Sequence, residues 1–137
     1  MRMLYIAGKY RSNSIDGVKE NIRVARAYAE KYWKLGYAVI CPHTNSGLME
    51  QSVSEQLLMK GDLEFIMRCD VIVMLPDWIE SAGSRAEHEV AVQCHLQIIY
   101  EYTAEQADFI VVSGINPLYN HGVNLDENLH LSTDILF

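Results

Sequence analysis

The chain has 137 residues, 50% of them hydrophobic and 21% charged, which is the composition of one globular domain with room for a core but not for two domains. Eleven Lys and Arg against 18 Asp and Glu give a net charge of −7, and an acidic balance of that size argues against a nucleic-acid polymer or an anionic membrane as partner. A single nucleotide stays open, because one phosphate site needs only an Arg and a few backbone N–H groups.

In chain order, Met3 to Ala7 reads as a short buried strand closed by Gly8, followed by a polar loop from Lys9 to Ser14. Gly8-Lys9 lacks the upstream glycine and the following Ser or Thr of a P-loop. A glycine turn leading into a basic, hydroxyl-rich loop nevertheless suits an anion, with Arg11 as the clamp. Taken alone, Arg11 would be read as a solvated surface residue. From Ile15 to Leu35 apolar residues recur at Val18, Ile22, Ala25, Ala29 and Tyr32 or Trp33, the spacing of one helix face, and Gly36 supplies the stop.

Tyr37 to Cys41 is the second strand, ended by Pro42, and the loop that follows carries His43 and Asn45 at a strand's carboxyl end. Both are candidate ligand contacts, although His43 serves equally well as a hydrogen-bonder within the loop. A second helix is expected from Val53 to Arg68, perturbed near Gly61, with Leu58, Phe65, Ile66 and Cys69 on its apolar face. Asp62 falls on that same face. A carboxylate aimed into apolar surroundings is costly unless it is paired, functional or a cap, and Asp62 could cap a helix restarted after Gly61.

Val71 to Leu75 is a continuous apolar run ended by Pro76, the pattern of a strand buried on both faces. A polar loop follows, and then a third helix from Ser84 to about His95. Its phase puts Ala86, Val90, Ala91 and Cys94 inward and Glu87 at the edge, with Arg85, His88, Glu89 and His95 in solvent. Gln97 to Tyr100 is a fourth strand, Thr103 to Ala107 a short helix and Phe109 to Val112 a further strand. This alternation predicts a single-domain α/β fold, Rossmann- or flavodoxin-like and doubly wound, with a mainly parallel sheet of about five strands. Residues 114–137 form a tail without clear periodicity.

Cys41, Cys69 and Cys94 are an odd, widely spaced set, which fits reduced core thiols in a cytoplasmic protein better than a disulfide framework or a metal site. No signal peptide or membrane span is expected. Neither a metal nor a cofactor is called for.

The chemistry concentrates between Asp70 and Glu89. Strand, loop and helix in that order put Asp77 to Gly83 at the carboxyl edge of the sheet, where open α/β folds bind ligands. Glu87 in a first helical turn would be held as the anion, and an ionised carboxylate beside a crevice is a candidate nucleophile. Ser84-Arg-Ala-Glu87 is equally a capping box, which needs no substrate.

Tyr5-Ile-Ala-Gly8-Lys-Tyr-Arg11, Asp62 before Cys69-Asp70, and Ser81-Ala-Gly83-Ser-Arg-Ala-Glu87 together resemble the nucleoside 2-deoxyribosyltransferase superfamily, including its deoxynucleoside 5′-monophosphate N-glycosidases. The resemblance spans most of residues 3 to 100. It implies N-glycosidic bond cleavage or transfer on a small nucleoside or nucleotide, with Glu87 as nucleophile, Asp62 serving the sugar and the leaving base, and Tyr5 orienting the nucleophile. By the same resemblance Gly8 and Gly83 lie under the substrate, Arg11 belongs to the hydrolase-type first loop, and Ser81 takes the place of the phosphate-contacting serine of the monophosphate hydrolases. Lys9-Tyr10 departs from the smaller residues of those hydrolases. The resemblance also implies a homodimer or larger assembly. The alternative is a non-catalytic nucleotide-binding or sensing module of the same fold, in which Glu87 would only cap its helix.

Overall fold

The computed structural model describes residues 1–113. Strands β1 (Met3–Ala7), β2 (Ala38–Ile40), β3 (Val71–Met74) and β4 (Gln97–Tyr100) alternate with helices α1 (Ile15–Lys34), α2 (Pro42–Asn45), α3 (Glu55–Met67), α4 (Ala82–Gln93) and α5 (Ala104–Ser113). One 3₁₀ turn, Trp78–Glu80, links β3 to α4.

The described strands form one parallel sheet in the order β2-β1-β3-β4, with Tyr5 level with Ile40 on one side and Ile72 on the other. The chain leaves β1 towards β2 and then crosses back to β3, so the direction of winding reverses between β1 and β3. At such a switch point the loops diverge and leave a crevice above the carboxyl ends of the strands. Gly8 and Leu75-Pro76 close β1 and β3 at that edge.

The apolar runs of β1 and β3 bury alternate residues on opposite faces. Leu4, Ile6, Val71, Val73 and Ile99 pack under Ala25, Tyr28, Ala29 and Tyr32 of α1. On the other face Tyr5, Ala7, Ile72, Met74, Ile98 and Tyr100 meet Ile66 of α3, Ala91 of α4 and Ala107 of α5. The fold is therefore doubly wound, as expected. Its sheet has four strands among the described residues rather than about five.

Helix α1 follows its pattern closely: Ser14 accepts from the Gly17 N–H at the start, and Gly36 adopts a positive φ of 96° just beyond the end, the left-handed geometry that glycine takes without strain. Helix α3 runs unbroken through Gly61, so Asp62 does not cap a restarted helix. Phe109 to Val112 continue α5 instead of forming a strand. A reciprocal capping box opens that helix: Thr103 Oγ1 accepts from Gln106 N at 3.1 Å and Gln106 Oε1 from Thr103 N at 2.8 Å. Cys41 and Cys69 are buried thiols, whereas Cys94 is exposed and not part of the core. No described helix is long and apolar enough to cross a membrane. The tail expected from residue 114 lies outside the described residues.

Candidate active site

Tyr5 lies in the middle of β1, fully buried, and points to the α3–α4 face of the sheet. A phenolic O–H in that position needs a partner, and the Tyr5 hydroxyl donates to the Glu87 carboxylate of α4. The contact joins the central strand to the helix beyond β3 and fixes where the Glu87 carboxyl sits.

It also decides between the two local readings of Ser84 to Glu87. Helix α4 begins at Ala82, with Ser81 as N-cap: Ser81 Oγ accepts from Ser84 N at 3.2 Å. Glu87 therefore stands in the second turn, pointing at Tyr5, and does not close a capping box. The face that packs inward also differs from the expected one. Ser84 and Ala91 are buried and Glu87 and His88 partly so, whereas Ala86 and Cys94 are exposed.

Asp62 reaches the same place from α3, which packs beside α4. It is partly buried, and burial pushes its carboxyl up to about 6. Burial likewise raises Glu87, opposed by the hydrogen bond from Tyr5 and reinforced by the charge of Asp62, to about 8. Burial raises the Tyr5 hydroxyl well above its ordinary value, as do the neighbouring charges of Glu87 and Asp62. Three titratable groups from three elements thus feel one another beside the central strand, and a cluster of perturbed groups makes a candidate functional site.

The surrounding loops are fastened around this centre. Gly8 is buried, and a Cβ there would lie 2.6 Å from Leu75 Cδ1 and 2.9 Å from Leu75 Cβ, so close approach of β1 to the end of β3 requires glycine. His43 is buried on α2 with its Nε2 3.0 Å from the Lys9 carbonyl. It holds the first loop, the second of the two roles its sequence position allowed. Its ring meets Tyr10 edge-on at 5.8 Å, and Tyr10 donates to Glu50 at 3.0 Å while accepting from Leu48 N at 2.8 Å. Arg11 is ion-paired with Glu55 at the start of α3, both side chains largely exposed. An exposed pair of that kind is weak and readily exchanged for another anion. Asn45 is exposed at the end of α2, and Gly83, at the second position of α4, has space for a side chain, Ser81 Oγ lying 3.9 Å from a Cβ built there. Among the described residues no group of three or more His, Cys, Asp or Glu side chains is placed to share a metal ion.

Two polar residues of α4 take places that the sequence reading did not give them. Ser84 Oγ is buried without a hydrogen-bond partner among the described residues. His88, expected in solvent, stacks on Trp78 with ring centroids 4.4 Å apart and lies 2.7 Å through Nε2 from the Tyr100 hydroxyl. The Leu-Pro-x-Trp run that places Trp78 just beyond β3 was the available signal, since a buried ring there demands a partner from α4.

The fold is shared with several proteins of known structure. The 2-deoxyribosyltransferase of Bacillus psychrosaccharolyticus is similar at a TM-score of 0.58 and 18% identity, over 73% of this chain and 72% of that one. The CMP N-glycosidase BcmB of Clostridium botulinum gives 0.57 at 17% identity over 97% and 89%, and a conserved protein of Enterococcus faecalis V583 gives 0.67 at 19% over 98% and 92%. Within that architecture the chain belongs to the family described as a domain of unknown function, DUF4406, whose sequence profile matches residues 2–100. No curated protein matches it.

Proposed function

We propose that this protein cleaves the N-glycosidic bond of a small nucleoside or nucleoside 5′-monophosphate through a glutamate nucleophile, Glu87. The observation that carries the proposal is the Tyr5–Glu87 hydrogen bond, with the Asp62 carboxyl in electrostatic reach, at the switch point of the sheet. Two of the solved proteins with this fold are by name a 2-deoxyribosyltransferase and a CMP N-glycosidase, which supports the reaction class.

In the proposed reaction a Glu87 oxygen attacks the anomeric carbon as the C–N bond breaks, and the electron pair leaves with the base, which takes a proton from Asp62. Water or a second base then resolves the glycosyl-enzyme, with Asp62 returning as base. With Glu87 near 8 and Asp62 near 6, the singly protonated pair in the free protein keeps its proton mostly on Glu87. The productive arrangement, proton on Asp62 and anion on Glu87, is then the minor one. The developing sugar cation favours the anion beside it, so the reacting complex draws on that minor form.

Ser81 supports a monophosphate over a free nucleoside. Its oxygen accepts from Ser84 N, which leaves the hydroxyl proton to donate to a phosphate at the start of α4. Arg11 would join by exchanging Glu55 for the same phosphate. We further propose a homodimer or larger assembly, because α3, which bears Asp62, leaves Leu57, Met59 and Met67 exposed beside it. Three free thiols suit a cytoplasmic location.

The test is chromatography of base released from a panel of nucleosides and 5′-monophosphates by the wild type and by Glu87→Ala. The expected result is release from at least one monophosphate and a loss of about a thousandfold or more in the variant. Turnover that survives Glu87→Ala overturns the mechanism. A nucleotide that raises the melting temperature of the wild type without any base release favours the binding module instead.

A further inference from the structure

We propose that His88 is a positioning residue for Glu87, setting the roll of α4 through the Tyr100 hydroxyl and the Trp78 ring so that the carboxylate meets Tyr5; this rests on the reading of Glu87 as nucleophile.

A helix lying on a sheet is free to roll by a fraction of a turn unless directional contacts stop it, because apolar packing is non-directional. Ala91 is the buried apolar residue of α4, and a methyl group resists rotation poorly. The directional contacts come from two adjacent residues. Glu87 accepts from Tyr5 on β1, and His88 reaches Tyr100 on β4 at 2.7 Å while stacking on Trp78, the planes 25° apart. Adjacent helical residues point about 100° apart around the axis, so contacts from both to different strands fix the roll between them.

The anchors are rigid. Trp78 and Tyr100 are buried, Tyr100 lies in a strand paired with β3, and the two aromatic rings are 6.0 Å apart. A residue fixed only for general packing would not need a ring nitrogen on a buried hydroxyl. Burial lowers the pKa of His88, so its ring is neutral near pH 7 and one nitrogen can accept while the other donates. The groups facing Glu87 from its neighbours are Tyr5 on β1 and Asp62 on α3.

The test compares His88→Phe, which keeps a stacking ring, Tyr100→Phe, which removes one hydroxyl, and His88→Gln, which keeps a hydrogen-bonding group. Two readouts are taken. The first is the titration of the Glu87 carboxyl by infrared difference spectroscopy against Glu87→Gln; the second is kcat and KM on whichever substrate is cleaved. The expected result is a Glu87 midpoint lowered by about one pH unit in both Phe variants as the carboxyl swings towards water. A fall in kcat of about tenfold with little change in KM should accompany it. The double variant should be no worse than either single one, and His88→Gln should recover most of the wild-type behaviour.

An unchanged Glu87 midpoint in both Phe variants, with only the melting temperature lowered, overturns the inference and leaves His88 a packing residue. If His88→Phe fails to fold, Tyr100→Phe decides, since its ring packing is retained. If the wild type cleaves nothing, the functional reading fails, and the infrared titration still decides whether His88 sets the position of Glu87.

Discussion

Tyr5 and Glu87 are the residues on which the proposed chemistry turns, and their hydrogen bond has a definite sign. Donation from Tyr5 favours the carboxylate and lowers the Glu87 pKa against the larger effect of burial. Tyr5→Phe keeps the buried ring and removes the donor. The Glu87 pKa should then rise further and the acid limb of the kcat/KM profile move to higher pH. Activity should fall by about ten- to a hundredfold, the worth of a hydrogen bond to a charged group. A pH–rate profile checks both, and an acid limb unmoved by Tyr5→Phe contradicts the assigned contact. The sequence could nominate Tyr5, Asp62 and Glu87 only because three short motifs occur in a recognisable order. No local pattern says that a residue in the middle of β1 reaches one on α4, since that contact exists only once the sheet is wound.

At the scale of the element, α4 is instructive because its sequence offers two serines three residues apart as N-caps. Ser84 makes the better local case, with Glu87 three positions on, yet Ser81 caps the helix and Ser84 Oγ has no hydrogen-bond partner among the described residues. Ser81→Ala should cost about 1 kcal/mol and lower the melting temperature by a few degrees. Ser84→Ala removes an unsatisfied buried oxygen and should be neutral or stabilising. Thermal denaturation of the two variants separates them, and the opposite ranking would restore the capping box. The cap was misread because propensity ranks both serines alike. His88 was placed in water because the inward face was phased on the apolar residues Ala86, Val90, Ala91 and Cys94, whereas the packed face carries Ser84, Glu87 and His88. Helix α5 was misread for a different reason: Phe109 to Val112 are the residues of a strand by composition, but the Thr103–Gln106 box upstream starts a helix that carries through them. Strand β1, helix α1 and strand β3 were legible, because their apolar periods and their Gly or Pro stops agree with the packing they enter.

For the whole molecule, these buried groups predict how stability varies with pH, and they act in opposite directions. Asp62 and Glu87 have folded pKa values of about 6 and about 8 against ordinary values of 3.8 and 4.5. The folded state holds protons that the unfolded chain has released, so their contribution is complete at low pH and is lost as pH rises through the folded values. His43 and His88 are lowered from 6.5 by burial. Their contribution is present above 6.5 and is lost as pH falls, because the unfolded chain then binds protons that the folded one does not. Below 6.5 the two pairs oppose each other and the slope is shallow. Between about 7.25 and 8 Asp62 is ionised and both histidines are mostly neutral in either state, so Glu87 dominates. Stability should therefore fall across that interval, by at most about 1.4 kcal/mol per pH unit for one proton. Glu87→Gln keeps the shape and cannot ionise. Its unfolding free energy, from denaturant titrations at pH 7.25, 7.6 and 8, should stay nearly level while that of the wild type declines, so the variant gains on the parent as pH rises. Parallel declines in both proteins would mean that Glu87 does not hold a proton in the folded state. The proton inventory of the proposed reaction would then have to be redrawn with Glu87 ionised from the outset.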